Sequence, residues 1–254
     1  AGLFSVPAHA ARSTVVIHET NAFTSLNTGT PDTNLTTNTD IGYMTGMGFN
    51  YYDDKKNLVP NTVLGSYKIV KNSAKDFRVQ WTVASGRLWS DGTGIDARDM
   101  LLGHVLQSSE YSKAAGLGNP SDEKTPPAFN SINYGGVYDN HIVGIPTISS
   151  DNMSLTIQFD APVPNWELFG TGISPAYTLL EIANGKKALQ SVADNNAAKD
   201  AVVKAIQTKD TATLKKIAAV WNDDYNITTI DSSTNPLLLV SNGAYLIKSA
   251  VKDQ

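Results

Sequence analysis

Residues 77–99 read Phe-Arg-Val-Gln-Trp-Thr-Val-Ala-Ser-Gly-Arg-Leu-Trp-Ser-Asp-Gly-Thr-Gly-Ile-Asp-Ala-Arg-Asp. Phe77, Val79, Trp81 and Val83 alternate with Arg78, Gln80 and Thr82, the period-two pattern of a half-buried strand. Trp89 to Thr93 reads as a turn, because Asp91-Gly92 supplies the positive-φ chemistry a turn needs. Asp96 is a favoured helix N-cap, and Asp99 three residues on suits the positive end of the helix dipole. A helix is therefore expected over 97–107. A second alternation sets Met153, Leu155, Ile157 and Phe159 against Ser154, Thr156 and Gln158, a strand that Pro162 and Pro164 end.

Outward from these strands the signals weaken. Val15-Val16-Ile17 is a short β-branched run and predicts a buried strand. Residues 20–39 hold 8 Thr and 4 Asn, so no face is apolar enough for a helix or core strand, and an extended surface segment is expected. Residues 112–140 are a long excursion rich in Gly, Pro, Ser and Asn. Residues 178–222 turn Ala-, Lys- and Leu-rich and predict two or three helices. The last, capped by Asp210 or Thr211, places Leu214, Ile217, Ala218 and Trp221 on one face. Leu237 to Val240 predicts a final strand.

The chain has 254 residues, enough for one to two domains of roughly 150 residues. A net charge of −4 gives no basic footprint for nucleic acid or anionic lipid. With 41% hydrophobic and 17% charged residues the chain is globular. The absence of Cys removes disulfides, thiolate catalysis and zinc–thiolate sites. No run approaches 18 apolar residues. The polarity rests on 24 Thr and 21 Asn rather than on charge, which points to an exported bacterial protein.

His9, His18, His104 and His141 share no metal-ligand spacing. No Gly-x-Ser-x-Gly elbow supports a nucleophile. Asp53-Asp54 and Asp223-Asp224 are adjacent pairs whose side chains diverge, and they read as solvated loop acids. Gly42, Gly46 and Gly48 form a Gly-rich stretch without a phosphate-cradle pattern and read as loop and packing glycines. Tyr51, Tyr52 and Trp221 read as core or interface aromatics. No catalytic residue, metal ligand or cofactor is expected. On residues alone the chain is a soluble α/β protein, more a binding protein than an enzyme, with the ligand unnamed.

Three stretches together carry a resemblance. The strand and turn of 78–93 with Ile95-Asp96-Ala97-Arg98-Asp99, the strand 150–157 followed by Ala161-Pro162-Val163-Pro164, and Ser241-Asn242-Gly243-Ala244-Tyr245 occur in the order seen in the large extracytoplasmic solute-binding proteins of peptide ABC importers (oligopeptide, dipeptide and nickel type). Gly94 and Asp96 stand where that family usually has Pro and Thr. The resemblance implies a periplasmic-binding-protein-like α/β fold of type II in the three-domain group. Residues 1–47 and 168–254 would form a discontinuous first-lobe domain, and 48–167 an inserted α+β domain. Because the Asn-Gly-Ala-Tyr segment lies close to the end of this chain, the resemblance also implies an N-terminal half without its second lobe.

By the same resemblance the protein captures an oligopeptide or similar small solute outside the membrane and hands it to an ABC permease. It would touch the membrane only through a removed or lipidated N-terminus, and it would use no nucleic acid. Asp32 is the candidate for a peptide ammonium, with Thr33, Asn34 and Leu35 beside it. Thr171, between Gly170 and Gly172, is a candidate for the cleft wall. Asn242 and Gly243 would lie at the hinge. Asp91, Gly92 and Asp96 are assigned to structure. The alternative is a surface adhesion or structural protein on the same scaffold.

Overall fold

A computed structural model describes residues 14–170 and 172–252. Its sheet is built around the quoted strand. Hairpin strands β1 (Asn50–Tyr52) and β2 (Leu58–Pro60) pair with each other. Strands β3 (Gly65–Ser73), β4 (Asp76–Val83), β5 (Thr147–Ile148) and β6 (Ser154–Phe159) form an antiparallel sheet in the order β3-β4-β6-β5. The predicted alternations hold in β4 and β6. Phe77, Val79, Trp81 and Val83 are buried, as are Leu155, Ile157 and Phe159. The register sets Phe77 against Phe159, Val79 against Ile157 and Trp81 against Leu155, so the two strands share one apolar face. Trp81, Tyr67 and Trp166 form one aromatic cluster, with Trp166 edge-on to both of the others.

The helices are α1 (Thr36–Thr45), α2 (Leu102–Val105), α3 (Ser109–Ala114), α4 (Val137–His141), α5 (Ala176–Ala183), α6 (Val192–Thr208) and α7 (Thr211–Ala219). Asp210 caps α7, and Leu214, Ile217 and Ala218 are buried on its inner face. A π-helical turn, Val220–Asp224, continues from α7 and buries Trp221. Buried apolar residues from Phe49 to Val240 form one continuous cluster.

Several expectations are corrected. Val15, Val16 and Ile17 are 79%, 71% and 59% exposed and form no strand, since none of the described residues pairs with them. The Thr/Asn segment is not all extended, for α1 begins within it. That helix buries Thr37 and Asn38 rather than apolar residues. Asn38 holds the preceding chain by accepting from the Thr24 and Ser25 N–H groups and donating to the Thr33 carbonyl. A helix anchored by hydrogen bonds leaves no hydrophobic period to read. The expected helix over 97–107 is a 3₁₀ turn, Ala97–Met100, followed by the short α2. The expected strand at Leu237 is a 3₁₀ turn, Pro236–Leu239, opened by Pro at its first position and capped by Asn235. Tyr51 and Tyr52 are not core residues but stand 47% and 57% exposed on β1.

The turn after β4 is tied to α5 and α6 by buried polar bonds. Asp96 and Asp99 form a reciprocal capping box. Asp99 Oδ2 accepts from Lys199 Nζ at 2.5 Å, Trp89 Nε1 at 3.1 Å and the Asp96 N–H at 3.0 Å. Lys199 also donates to the Gly94 carbonyl and lies 5.5 Å from the Tyr177 ring centre. Asp91 accepts from the Tyr177 hydroxyl at 2.7 Å and from Asn195 at 3.1 Å. Arg98 bridges Asp96 to Asp200 on α6. Asp91 and Asp96 are thus structural, as expected, and Gly92 takes the positive φ of 87° that the turn requires.

Lys199 and Asp99 are 2% and 1% exposed, so removing Lys199 leaves the Asp99 carboxyl buried without its cation, whereas Lys199 also has Asp96 3.5 Å away. Lys199→Met is expected to lower unfolding stability by about 3–5 kcal/mol. The double change Lys199→Met with Asp99→Leu is expected to recover much of that loss. Urea denaturation of the three proteins checks both statements.

Candidate functional site

Two adjoining depressions meet where α1 ends. The smaller has a volume of about 240 Å³. Trp89, Ile173 and Leu179 form one wall, Trp221 and Tyr225 another, and Asn27, Thr45, Ser241 and Asn242 its polar rim. The larger is an open cleft of about 650 Å³ lined by Thr28, Thr39, Tyr43, Met47, Gly48, Asn50, Tyr51, Asn61, Gly243 and Ala244. Gly42 and Gly46 border both.

Backbone contacts fix this junction. The Gly243 N–H donates to the Thr45 carbonyl at 2.7 Å, and the Tyr245 N–H to the Met44 carbonyl at 3.2 Å. The Asn242 side chain grips Met47 twice, accepting from its N–H at 2.9 Å and donating to its carbonyl at 3.1 Å. An amide side chain here does what a neighbouring strand's peptide group would do. The other wall is set by Asn27, whose Nδ2 donates to the Trp221 carbonyl at 2.7 Å, and by the Leu26 N–H donating to the Tyr225 carbonyl at 3.0 Å. Burial pushes the Tyr225 phenol above its ordinary range, so it stays neutral.

Residues 32–35, the candidates before α1, lie outside both depressions. Asp32 and Asn34 are exposed on the turn before α1, and neither lines a depression. Thr33 is 5% exposed, with its hydroxyl 2.7 Å from that of Thr30, so it braces the turn. Leu35 is the half-buried N-cap of α1. The ten residues of α1 span about 15 Å at 1.5 Å per residue, and the depressions border its second half. Of the remaining candidates, Asn242 lines the smaller depression and Gly243 the larger, while Thr171 lies outside the described residues. The residues that do converge include Tyr43, Met47, Asn61 and Tyr225, which no sequence pattern singles out. The Gly42, Gly46 and Gly48 stretch is the available signal, and in the sequence it reads as packing.

Gly243 is explained by space and not by conformational freedom, because its backbone is not left-handed. A Cβ there would stand 2.3 Å from the Thr45 carbonyl carbon. Two other candidate groups serve the fold. His104 is buried with Nδ1 2.9 Å from the Tyr138 hydroxyl, and burial lowers its pKa to about 4, so it is neutral near pH 7. Asp53 accepts from the Lys55 and Asn57 N–H groups and closes a turn. Among the described residues no three His, Asp or Glu side chains gather as a metal would require.

Glu181, 5% exposed on α5, has no hydrogen-bond partner at either carboxylate oxygen among the described residues. Burial raises its pKa to about 7, with Asp91 and Asp194 adding repulsion.

No family model matches the chain, and no curated protein matches it. Among solved structures it is similar to the periplasmic EDTA-binding protein EppA, at 14% identity and a TM-score of 0.57 over 93% of this chain and 33% of that one. The oligopeptide-binding protein from Thermus thermophilus, solved with a pentapeptide, matches at 14% identity and a TM-score of 0.49 over 86% of this chain and 32% of that one. The pheromone receptor PrgZ matches at 16% identity and a TM-score of 0.42 over 91% of this chain and 35% of that one. The likeness to EppA shows the fold, which is periplasmic-binding-protein-like and mixes helix with sheet as the sequence motifs implied. The chain spans about a third of the length of the solved proteins it matches. Among the described residues no helix is long and apolar enough to cross a membrane.

Two changes test this geometry. Gly243→Ala must push Thr45 away and is expected to cost about 1–3 kcal/mol in urea unfolding. Glu181 has a folded pKa above its unfolded one, so its contribution is fully present below pH ~4.5 and is lost as pH rises through about 7. The loss grows by about 1.4 kcal/mol per pH unit across that window. Glu181→Gln is expected to match the parent at pH 4 and exceed its stability at pH 8.

Proposed function

We propose that this chain provides one wall of the solute-capture cleft in the binding component of an ABC importer, taking up an oligopeptide or similar small solute outside the cytoplasmic membrane. The observation that carries the proposal is the pair of adjoining depressions at the end of α1, in a fold shared with EppA. EppA is named for binding EDTA, and a small-solute role is carried to this chain on that likeness. In this reading residues 1–47 and 168–254 form the first-lobe domain and 48–167 an inserted one. Asn242 and Gly243, where two chain segments cross, act as the hinge against a second lobe. Asp32 and Asn34 reach the solute or that lobe from the exposed turn, while Thr33 and Leu35 hold the turn in shape. Delivery to a permease and a lipidated N-terminus complete the proposal.

A solute in either depression stabilises the folded chain by mass action, and one in the smaller depression also alters the surroundings of Trp89 and Trp221. Titration with di- to pentapeptides, neutral trisaccharides and EDTA is expected to give at least one ligand that raises Tm, with a shift in tryptophan emission if it occupies the smaller depression. If every member of the panel leaves both unchanged, the proposal fails.

A further inference from the structure

Neither depression is lined by an Asp, Glu, Lys, Arg or His among the described residues. At the chain's 17% charged content, the 28 lining positions would hold about five charged side chains if drawn at random. An ionic solute enclosed by protein needs opposite charges or it loses more hydration than it recovers. A peptide carries an ammonium and a carboxylate, and a chelate such as EDTA carries several carboxylates. This wall offers neither class a counter-charge, and Asp32, the acid that the sequence resemblance offers for an ammonium, lies outside both depressions. A neutral solute has no such requirement.

The larger cleft supplies what a neutral polyol needs. Tyr43 and Tyr51 line it as residues 67% and 47% exposed, so both reach solvent at the cleft. The electron-rich face of an aromatic ring attracts the polarised C–H groups on one side of a sugar ring. Asn50 and Asn61 shape the floor and are held in place. Asn50 accepts from the Tyr67 hydroxyl and donates to the Glu167 carbonyl, and Asn61 donates to the Gly48 carbonyl. That leaves the hydroxyls of Thr28, Tyr43 and Tyr51 to pair with ligand hydroxyls. The cleft's 650 Å³ falls within the ~300–1,000 Å³ of small-ligand sites.

We propose that the solute is a neutral oligosaccharide seated in the larger cleft, with Tyr43 and Tyr51 as its stacking surfaces. This rests on the solute-binding reading above and narrows its substrate class.

The test uses the 254-residue chain and calorimetric titration with cellotriose, maltotriose and chitotriose, beside tri-alanine and EDTA at equal concentration. At least one trisaccharide is expected to bind. Its affinity is expected to fall at least tenfold in Tyr43→Ala or Tyr51→Ala, with Tm unchanged because both side chains are exposed, and to fall by less in Tyr51→Phe, which keeps the ring and loses only the hydroxyl. Binding of tri-alanine or EDTA with all three sugars inert overturns this inference and leaves the solute-binding reading standing. Sugar binding that neither alanine variant weakens overturns the assignment to this cleft. Silence from all five ligands overturns both readings.

Discussion

The ion pair between Lys199 and Asp99 is the constraint on which the other contacts rest. A buried ammonium and carboxylate are costly unless each meets its partner and its remaining hydrogen bonds. Asp99 takes three donors on Oδ2, from α6, from the Trp89 indole and from its own turn, while its Oδ1 is buried without a partner among the described residues. The pair therefore permits one placement of α6 against the turn that leaves β4. Asn195 and Asp200, on the same helix, repeat the attachment at Thr93 and Arg98. The apolar sheet face gives adhesion without direction. The polar bonds select the arrangement.

That arrangement passes directly to the depressions. The Ser90 N–H donates to the Ser241 carbonyl, and the Ser174 N–H donates to the Asp99 carbonyl. Ser241 and Ser174 both line the smaller depression, together with Trp89. The next two residues after Ser241, Asn242 and Gly243, then dock onto the end of α1. A motif that reads as a turn and a helix cap is thus two bonds away from the cavity wall. Its value to function is the fixed position of a wall in which the Trp89, Ser174 and Ser241 segments have no regular secondary structure of their own. A wall positioned in advance needs less ordering when a solute arrives.

How much of this is legible in the sequence follows from which force holds each part. Strands β4 and β6 are plain, because burial of alternate side chains writes a period of two. Helix α7 and its Asp210 cap are plain for the corresponding reason. Helix α1 is hidden because Thr37 and Asn38 face inward and are satisfied by hydrogen bonds. The Pro236–Leu239 turn reads as a strand because four consecutive apolar residues carry no period, although Asn235-Pro236 holds the start signal. The candidate ligand residues precede α1 while the depressions lie further along it, because a resemblance supplies an order of motifs but not which part of a helix borders a cavity. Gly243 stands out in the sequence for its freedom to rotate, where the structure uses its lack of a Cβ.

The preference for Asn and Thr over charge now has a structural meaning. Irregular segments must satisfy buried backbone groups without a neighbouring strand or helix. Asn27 does this for the Trp221 carbonyl, Asn50 for that of Glu167, Asn61 for that of Gly48, and Asn242 for both groups of Met47. A primary amide carries a donor and an acceptor on one short, neutral side chain, so it can replace a peptide group with no burial of charge. Lys or Glu in those places would bring a net charge to the cleft and a long side chain to immobilise. Loops held by amides therefore produce an uncharged cleft as a by-product of their own stability. The property that holds the wall together and the property that suits it to a neutral solute are one choice of side chain.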